Sequence, residues 1–325
     1  MPCTRRLLNA GLALALTTAF AHSAFAADAW PTRPIKMIVP YAAGGPTDAI
    51  ARLLAAQMGA SLGQAVVVDN RAGAGGTIGV STTLQAPADG YTIALVAPGP
   101  LVGMPNLMKT PYALGDMQFL TLVARIPSVL VVNAKSGINS VAELVKKAKA
   151  EPGKLSYSSA GAGTTPHIGM EIFKDQAGVD LLHVPYKGAA PALTAVVGGE
   201  VQVAMVDLLP ILPFVKAGQV KPLAVAAGSR APQLPDTPTT AEAGLPGVTM
   251  ETTYGLVAPK ALPPEIAAKL REAAVAAVKS PALSKLMVDQ GAQPVTSTGA
   301  EYQSLMTAES AKWKNIIAKA KISLD

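Results

Sequence analysis

Residues 35–54 read IKMIVPYAAGGPTDAIARLL, a short apolar run, a glycine-bearing loop and an amphipathic segment in immediate succession. Ile35, Met37, Ile38 and Val39 make a run too short for a buried helix and closed by Pro40, which suits a strand. Ile50, Leu53 and Leu54 then fall on one helical face. A strand that leads straight into a helix calls for a crossover, and crossovers build parallel sheets covered by helices. Within the loop, Gly44 and Gly45 allow close approach or positive φ, Pro46 stiffens the turn, and Thr47 or Asp48 is expected to cap the helix. Free N–H groups at such a helix start suit an anion. No lysine or arginine lies between Val39 and Ala51, so a ligand gripped here would meet amides, hydroxyls and the ring of Tyr41. The same residues also read as a plain structural turn in which Asp48 does no more than cap.

The unit recurs along the chain. Gln64–Asp69 reads as a second strand, the glycine-rich turn 70–76 leads into a helix through Ile78, Val80 and Leu84, and Tyr91–Val96 reads as a third strand. Residues 97–118 are expected to be irregular, and Phe119–Val132 to be extended and to cross between two lobes. A second series follows: helix Val141–Ala150, strand Leu155–Ser158, the loop 161–167 with Pro166 as its first helical residue, and a helix ending at Gly178. Strand Leu181–Val184, helix Ala189–Val197, and strands Val201–Val206 and Leu223–Ala227 come next. The proline-rich stretch 228–247 is expected to be a surface loop, Thr252–Val257 a return crossing, and the chain from Pro264 onward helical.

The first residues bear on compartment. Arg5 and Arg6 precede an apolar run from Leu7 to Phe20, and Ala24-Phe25-Ala26 has the small-x-small form of a cleavage site, so residues 1–26 are expected to be a secretory signal peptide. The single cysteine, Cys3, falls within it, leaving the mature chain without a disulfide or a thiolate metal site. Loss of the two arginines lowers the formal charge from +6 to +4, and the remaining basic residues are dispersed with few aromatics among them. That argues against a nucleic-acid face.

Motifs for chemistry are weak. Gly73 and Gly75, or Gly161 and Gly163, would need a small residue at 78 or 166 for dinucleotide binding, where Ile78 and Pro166 stand, and no phosphate-binding G-x-x-x-x-G-K motif occurs. A triad drawn from His167, Ser158 or Ser159 and Asp207 has no recognisable spacing, and no metal-ligand cluster or cofactor motif is present. What remains is a paired design: a strand, a Gly/Thr loop and a helix start in each half, at Tyr41–Asp48 and at Ser158–His167. Facing one another, the two would hold a small anion between two sets of amides beyond the strand ends.

These stretches, WPTRPIKMIVPYAAGGPTDAIARLLA, VVVDNRAGAGGTIG, DGYTIAL, YSSAGAGTTPHIGMEIF, VDLLHVPYKGAAPALTAVVGGEVQVAMVD and YGLVAPKALP, resemble the Bug (Bordetella uptake gene) or TctC-like extracytoplasmic solute receptors of tripartite tricarboxylate transporters. The resemblance spans nearly the whole mature chain. It implies an α/β, two-lobed periplasmic-binding-protein type II fold, each lobe a mainly parallel sheet flanked by helices, with two hinge crossings. On that pattern residues 27–129 plus 255–325 form lobe 1 and residues 130–254 lobe 2. The implied function is that of a periplasmic, non-enzymatic solute-binding protein without cofactor, acting as a monomer, that captures a small carboxylate and presents it to membrane permease subunits or a sensor protein.

Carried onto this chain, the resemblance implies that Tyr41 flanks the ligand, that Ala43, Gly44, Gly45, Thr47 and Asp48 supply amides and the cap, and that Ser159, Gly161, Gly163, Thr164 and Thr165 grip from the other side. His167 would border the site, and Asp207 would orient a ligand amine, hydroxyl or water, or else cap the helix that follows it. Two departures stand out: Ala97-Pro98-Gly99-Pro100 replaces a hydroxyl-rich loop, and Thr253 stands where an aromatic is common before Tyr254-Gly255. Fewer hydroxyls leave fewer partners for a second carboxylate, so an apolar monocarboxylate is as compatible as a tricarboxylate. The alternative from a different class is a secreted hydrolase or isomerase using His167 and Asp207.

Overall fold

The computed structural model describes residues 30–324; the expected signal peptide and Cys3 lie outside the described residues. From Arg33 onward the chain forms one compact unit. β1 (Ile35–Val39) runs parallel to both β2 (Val66–Asn70) and β3 (Thr92–Val96), with Ile38 opposite Asp69 on one side and Ala94 on the other. α1 (Pro46–Leu62) and α2 (Thr77–Leu84) make the two crossovers. α1 stops at Gly63, whose φ of 68° gives the left-handed C-cap that glycine adopts at no steric cost.

β4 (Met117–Asn133) is the element on which the two halves meet. Its first part, residues 117–127, pairs antiparallel with β9 (Glu251–Pro259), and its last part, residues 128–133, pairs with β7 (Val203–Asp207) and β8 (Val220–Val225). In the second half β5 (Ser156–Ser159) runs parallel to β6 (Leu182–Pro185) and to β7. The resulting strand order is β2-β1-β3-β9-β4-β7-β5-β6, with β8 and the short β10 (Gln293–Pro294) also on β4. The flanks are parallel, as crossovers require, while the strands that pass between the halves run against their neighbours because each must lead back across. The chain returns to the first half between Met250, whose carbonyl accepts from the amide of Ser128, and Glu251.

Helices pack both faces. In chain order they are α3 (Met104–Leu107), α4 (Val141–Ala150), α5 (Thr165–Ala177), α6 (Ala189–Gly198), α7 (Leu208–Lys216), α8 (Pro264–Lys279), α9 (Pro281–Asp289) and α10 (Gly299–Ala320). α4 begins where the sequence says, at a Ser140 cap whose hydroxyl accepts from the Glu143 amide. Trp313 of α10 is fully buried and its indole N–H donates to Glu309 at 2.8 Å.

Two segments differ from the sequence reading. Residues 97–118 are not irregular throughout: Gly99–Gly103 forms a π-helical turn that runs into α3, and Leu114–Asp116 a 3₁₀ turn. Prolines 98, 100 and 105 look like breakers, yet each lies where a helical N–H is unpaired or the turn is wide. α7, expected after Asp207 but given no bounds from sequence, runs to Lys216 despite carrying Pro210 and Pro213.

Candidate functional site

β1 ends at Pro40 and the chain turns through Tyr41–Gly45 into α1. Gly44 has φ 84° and Gly45, not Thr47 or Asp48, is the N-cap residue, because Pro46 already occupies the first helical position. Asp48, in the first turn, reaches back: its Oδ2 accepts from the Gly44 amide at 3.0 Å and from Arg52 Nε at 2.9 Å. Burial would raise its carboxyl, but the bonds from Arg52, Gly44 and Asn70 outweigh burial and hold it below the usual range. Asn70 also donates to the Tyr41 carbonyl at 3.1 Å, so β2 pins the loop.

The second loop follows β5. Gly161 and Gly163 have φ of 125° and 70°. The Thr164 hydroxyl donates to the Gly161 carbonyl at 2.6 Å, and the Gly163 amide donates to His167 Nδ1 at 3.0 Å. His167 therefore carries its proton on Nε2. Its ring stacks on His183, centroids 3.9 Å apart, and His183 stacks on Tyr157 at 4.9 Å. Ser159 Oγ and His183 Nε2 lie 2.6 Å apart. Burial, reinforced by the Lys174 charge, lowers His167 to about 4; burial, then the neighbouring His167, lowers His183 to about 3. Both imidazoles are neutral props beneath the loop at neutral pH. Tyr157 donates to Glu171 at 2.6 Å, and Lys174 pairs with the same carboxylate at 2.9 Å.

Between the two loops lies a cavity with about 30 Å³ of free space, little more than a water needs. The starts of α1 (Gly45, Pro46, Thr47), α5 (Thr164, Thr165, Pro166) and α6 (Ala189) border it. Three helix N-termini thus converge on one small space, each bringing free amides and the positive end of its dipole. Tyr41, Ala97, Ala160, Asp207, Thr252 and Tyr254 complete the wall, which has no lysine, arginine or histidine among the described residues. Thr165 is 2% exposed, and its hydroxyl oxygen has no hydrogen-bond partner in the protein.

Asp207 ends β7 and is 3% exposed. It makes no capping bond to α7. Instead Oδ1 accepts from Thr252 Oγ1 at 2.7 Å and, more distantly, from Ser128 Oγ at 3.4 Å, while Oδ2 accepts from the Tyr254 hydroxyl. Burial pushes the carboxyl up to about 6 against the pull of these three donors. Burial likewise lifts the Tyr41 and Tyr254 phenols far above their ordinary range, with the Asp207 charge adding to both.

Backbone closes the space around the cavity. A methyl group at Gly103 would overlap the Gly163 carbonyl oxygen, and one at Gly99 would sit 3.1 Å from both Thr164 Cα and the Tyr41 hydroxyl. On the opposite side a Cβ at Gly45 would lie 3.8 Å from that of Ala189.

Of the residues singled out from sequence, Tyr41, Gly45, Thr47, Thr164, Thr165 and Asp207 line this cavity. Asp48, Ser159, Gly161, Gly163 and His167 lie behind the wall and shape the two loops. Ala43 and Gly44 face outward, and Gly44 borders a separate groove with Ala190 and Leu209. His167 and Asp207 do not share the cavity wall, so the arrangement needed for a His–Asp catalytic pair is not formed. Sequence reasoning missed Thr252, Tyr254 and Ala189. Thr252 and Tyr254 lie two apart on an extended segment, so period-two alternation was the signal that would have put both on one face.

Residues 50–322 match the model of the tripartite tricarboxylate transporter family receptor. Protein BugT of Bordetella pertussis is 35% identical over 98% of this chain and 98% of its own. Among solved structures, Rpa4515 of R. palustris with adipate superposes with a TM-score of 0.87 at 35% identity, covering 90% of this chain and 99% of that one. MatC (Rpa3494) from Rhodopseudomonas palustris with bound malate superposes with a TM-score of 0.84 at 29% identity, covering 89% and 100%.

Proposed function

This chain belongs to the tripartite tricarboxylate transporter receptor family, a family of periplasmic solute-binding receptors rather than enzymes, and from that premise we propose that it captures a small carboxylate in the cavity between Thr47, Thr165 and Asp207. The observation that carries the reading is the meeting of three helix N-termini at a buried hydroxyl without a protein partner, in a wall free of cationic side chains. Amides and hydroxyls aimed at one point are the equipment for a carboxylate that need not meet a fixed positive charge. Adipate and malate in two structural relatives support the same chemistry here.

The cavity is narrow and walled by both loops, so on this reading a carboxylate enters as the two loops part. The lobes are residues 27–129 plus 255–325 and 130–254. They open by bending where β4 exchanges β9 for β7 and β8, and where the chain passes from Met250 into β9. Closure around ligand is the state that permease subunits, or a sensor, would read. Export to the periplasm by removal of residues 1–26 and action as a monomer complete the proposal.

The test is a thermal-shift screen of protein stripped of solute by unfolding and refolding, against butyrate, benzoate, succinate, malate, adipate and citrate, with butyramide, benzamide and butylamine alongside. A ligand at about a hundred times its dissociation constant adds roughly 2.7 kcal/mol. A raised midpoint confined to some of these acids is expected. Shifts with neutral amides or amines and none with any carboxylate would overturn the reading.

A further inference from the structure

Asp207 poses a difficulty for a carboxylate receptor. A second carboxylate is buried in the cavity wall with no cation on that wall to offset it. We propose that this chain captures its carboxylate together with one proton, which sits on Asp207 and is donated from there to a ligand oxygen. The proposal rests on the carboxylate reading of the site and deepens it.

The geometry carries the argument. Asp207 is met by hydroxyls alone: Ser128 from β4, and Thr252 and Tyr254 from β9. Tyr41 of the first loop, with Tyr112 close to it, is the remaining titratable neighbour, and both phenols are neutral well above physiological pH because they are buried. α7 starts at Leu208, an apolar buried residue, and its N-terminal dipole joins the three hydroxyl donors in favouring the ionised form, while burial opposes it and wins. Asp48 keeps to its own loop with Arg52. No charge of either sign therefore balances Asp207 from an adjoining element among the described residues.

Ionised, the carboxylate accepts three hydroxyl protons and turns a repelling oxygen toward an incoming anion. Protonated, it becomes a donor, and the hydroxyls of Thr252 and Ser128 rotate freely enough to accept or to bond elsewhere. In the ligand-free cavity the group already titrates near 6. An anion placed against it in a closed, water-poor space raises that further, so at neutral pH the proton comes from solvent as the ligand enters. It returns to solvent when the cleft opens. The balance is one carboxylate and one H⁺ in, and the same two out.

Isothermal titration of the tightest-binding probe among butyrate, benzoate, succinate and adipate tests this, run at several pH values in phosphate and in Tris. The difference in apparent enthalpy between the two buffers counts protons. Uptake of nearly one proton per ligand at pH 7–8 is expected, falling toward zero below about pH 5, with affinity weakening about tenfold per pH unit through the upper window. Asp207→Asn is expected to bind with no proton count and a flat pH profile. Binding with no proton uptake at pH 7–8 would overturn the proposal while leaving the carboxylate receptor intact. No binding by any probe would overturn both. The wild-type measurement decides even if the variant does not fold.

Discussion

Thr165→Val is expected to make the protein more stable and worse at binding. The Thr165 hydroxyl oxygen is buried at 2% residue exposure with no protein partner, so the ligand-free fold bears its desolvation. Valine has nearly the same shape and removes that polar atom. An unsatisfied buried donor or acceptor costs about 1–3 kcal/mol, which the variant recovers. In a chain of this size each kcal/mol moves the midpoint by roughly 2 °C, so a rise of a few degrees is expected without ligand. Bound, the same hydroxyl donates to a carboxylate, a bond to a charged group contributing about 1.5–3 kcal/mol. Its loss lowers affinity by roughly 10- to 150-fold. Urea unfolding without ligand and calorimetric titration with it read the two effects separately. A variant that is less stable and binds unchanged would refute the reasoning, since the hydroxyl would then be serving the fold and not the ligand.

Acid should loosen the second loop. The unfolded chain protonates His167 near 6.5 and the folded chain only near 4, so between these values the unfolded state holds more protons and stability falls as pH falls. The shift corresponds to on the order of 3 kcal/mol for His167, partly offset by Asp207, whose raised carboxyl has the opposite sign between about 4 and 6. Urea midpoints at pH 7.5 and 5 should show the drop, and His167→Gln, which still offers an acceptor to the Gly163 amide, should shrink it. Gly103→Ala places a methyl on the Gly163 carbonyl and should keep the loops apart; affinity is expected to fall more than about tenfold, with Gly115→Ala, which meets nothing within 4 Å, as control. Asp48→Ala removes the acceptor for the Gly44 amide and for Arg52. A loss of about 1–2 kcal/mol in thermal stability is expected, with a smaller loss of affinity, since Asp48 lies behind the wall.

Much of the architecture is legible in local pattern. α4 follows from its Ser140 cap and a helical stripe through Val141, Leu144 and Ala148, and the glycine at 178 marks where α5 stops. The two strand-to-helix turns are legible too, because tight turns of this kind call for glycine at positive φ, as at Gly44, Gly161 and Gly163. A helix after Asp207 is expected from sequence, but the extent of α7 is hidden by its prolines, whose tolerance depends on which amides the tertiary fold leaves without partners. The antiparallel course of β4 and β9 depends on pairing between residues more than a hundred apart in the chain, as with Leu122 and Gly255, and no local signal reports it. The same holds for the stack of His167 on His183, which joins α5 to β6, and for the hydroxyls around Asp207, which come from separate strands. Thr47 and Asp48 were misplaced as caps for a simpler reason. With Pro46 as the first helical residue the cap falls at Gly45, two positions before Thr47, and the acid then serves from the third residue of the helix.

Where the turn Gly99–Gly103 presses on the second loop, the nearest contacts are with main chain: Gly103 against the Gly163 carbonyl, Gly99 against Thr164 Cα. In the proposed complex the cargo, by contrast, would meet side chains and helix ends, several of them no larger than the alanines at 97, 160 and 189. Shutting and selecting are therefore encoded in different residues. Enlarging an alanine in the wall alters which acid fits while the seam stays as it was, whereas any side chain added at the seam spoils every cargo alike. A lineage built this way is free to change diet one wall residue at a time, while its seam glycines stay under constraint.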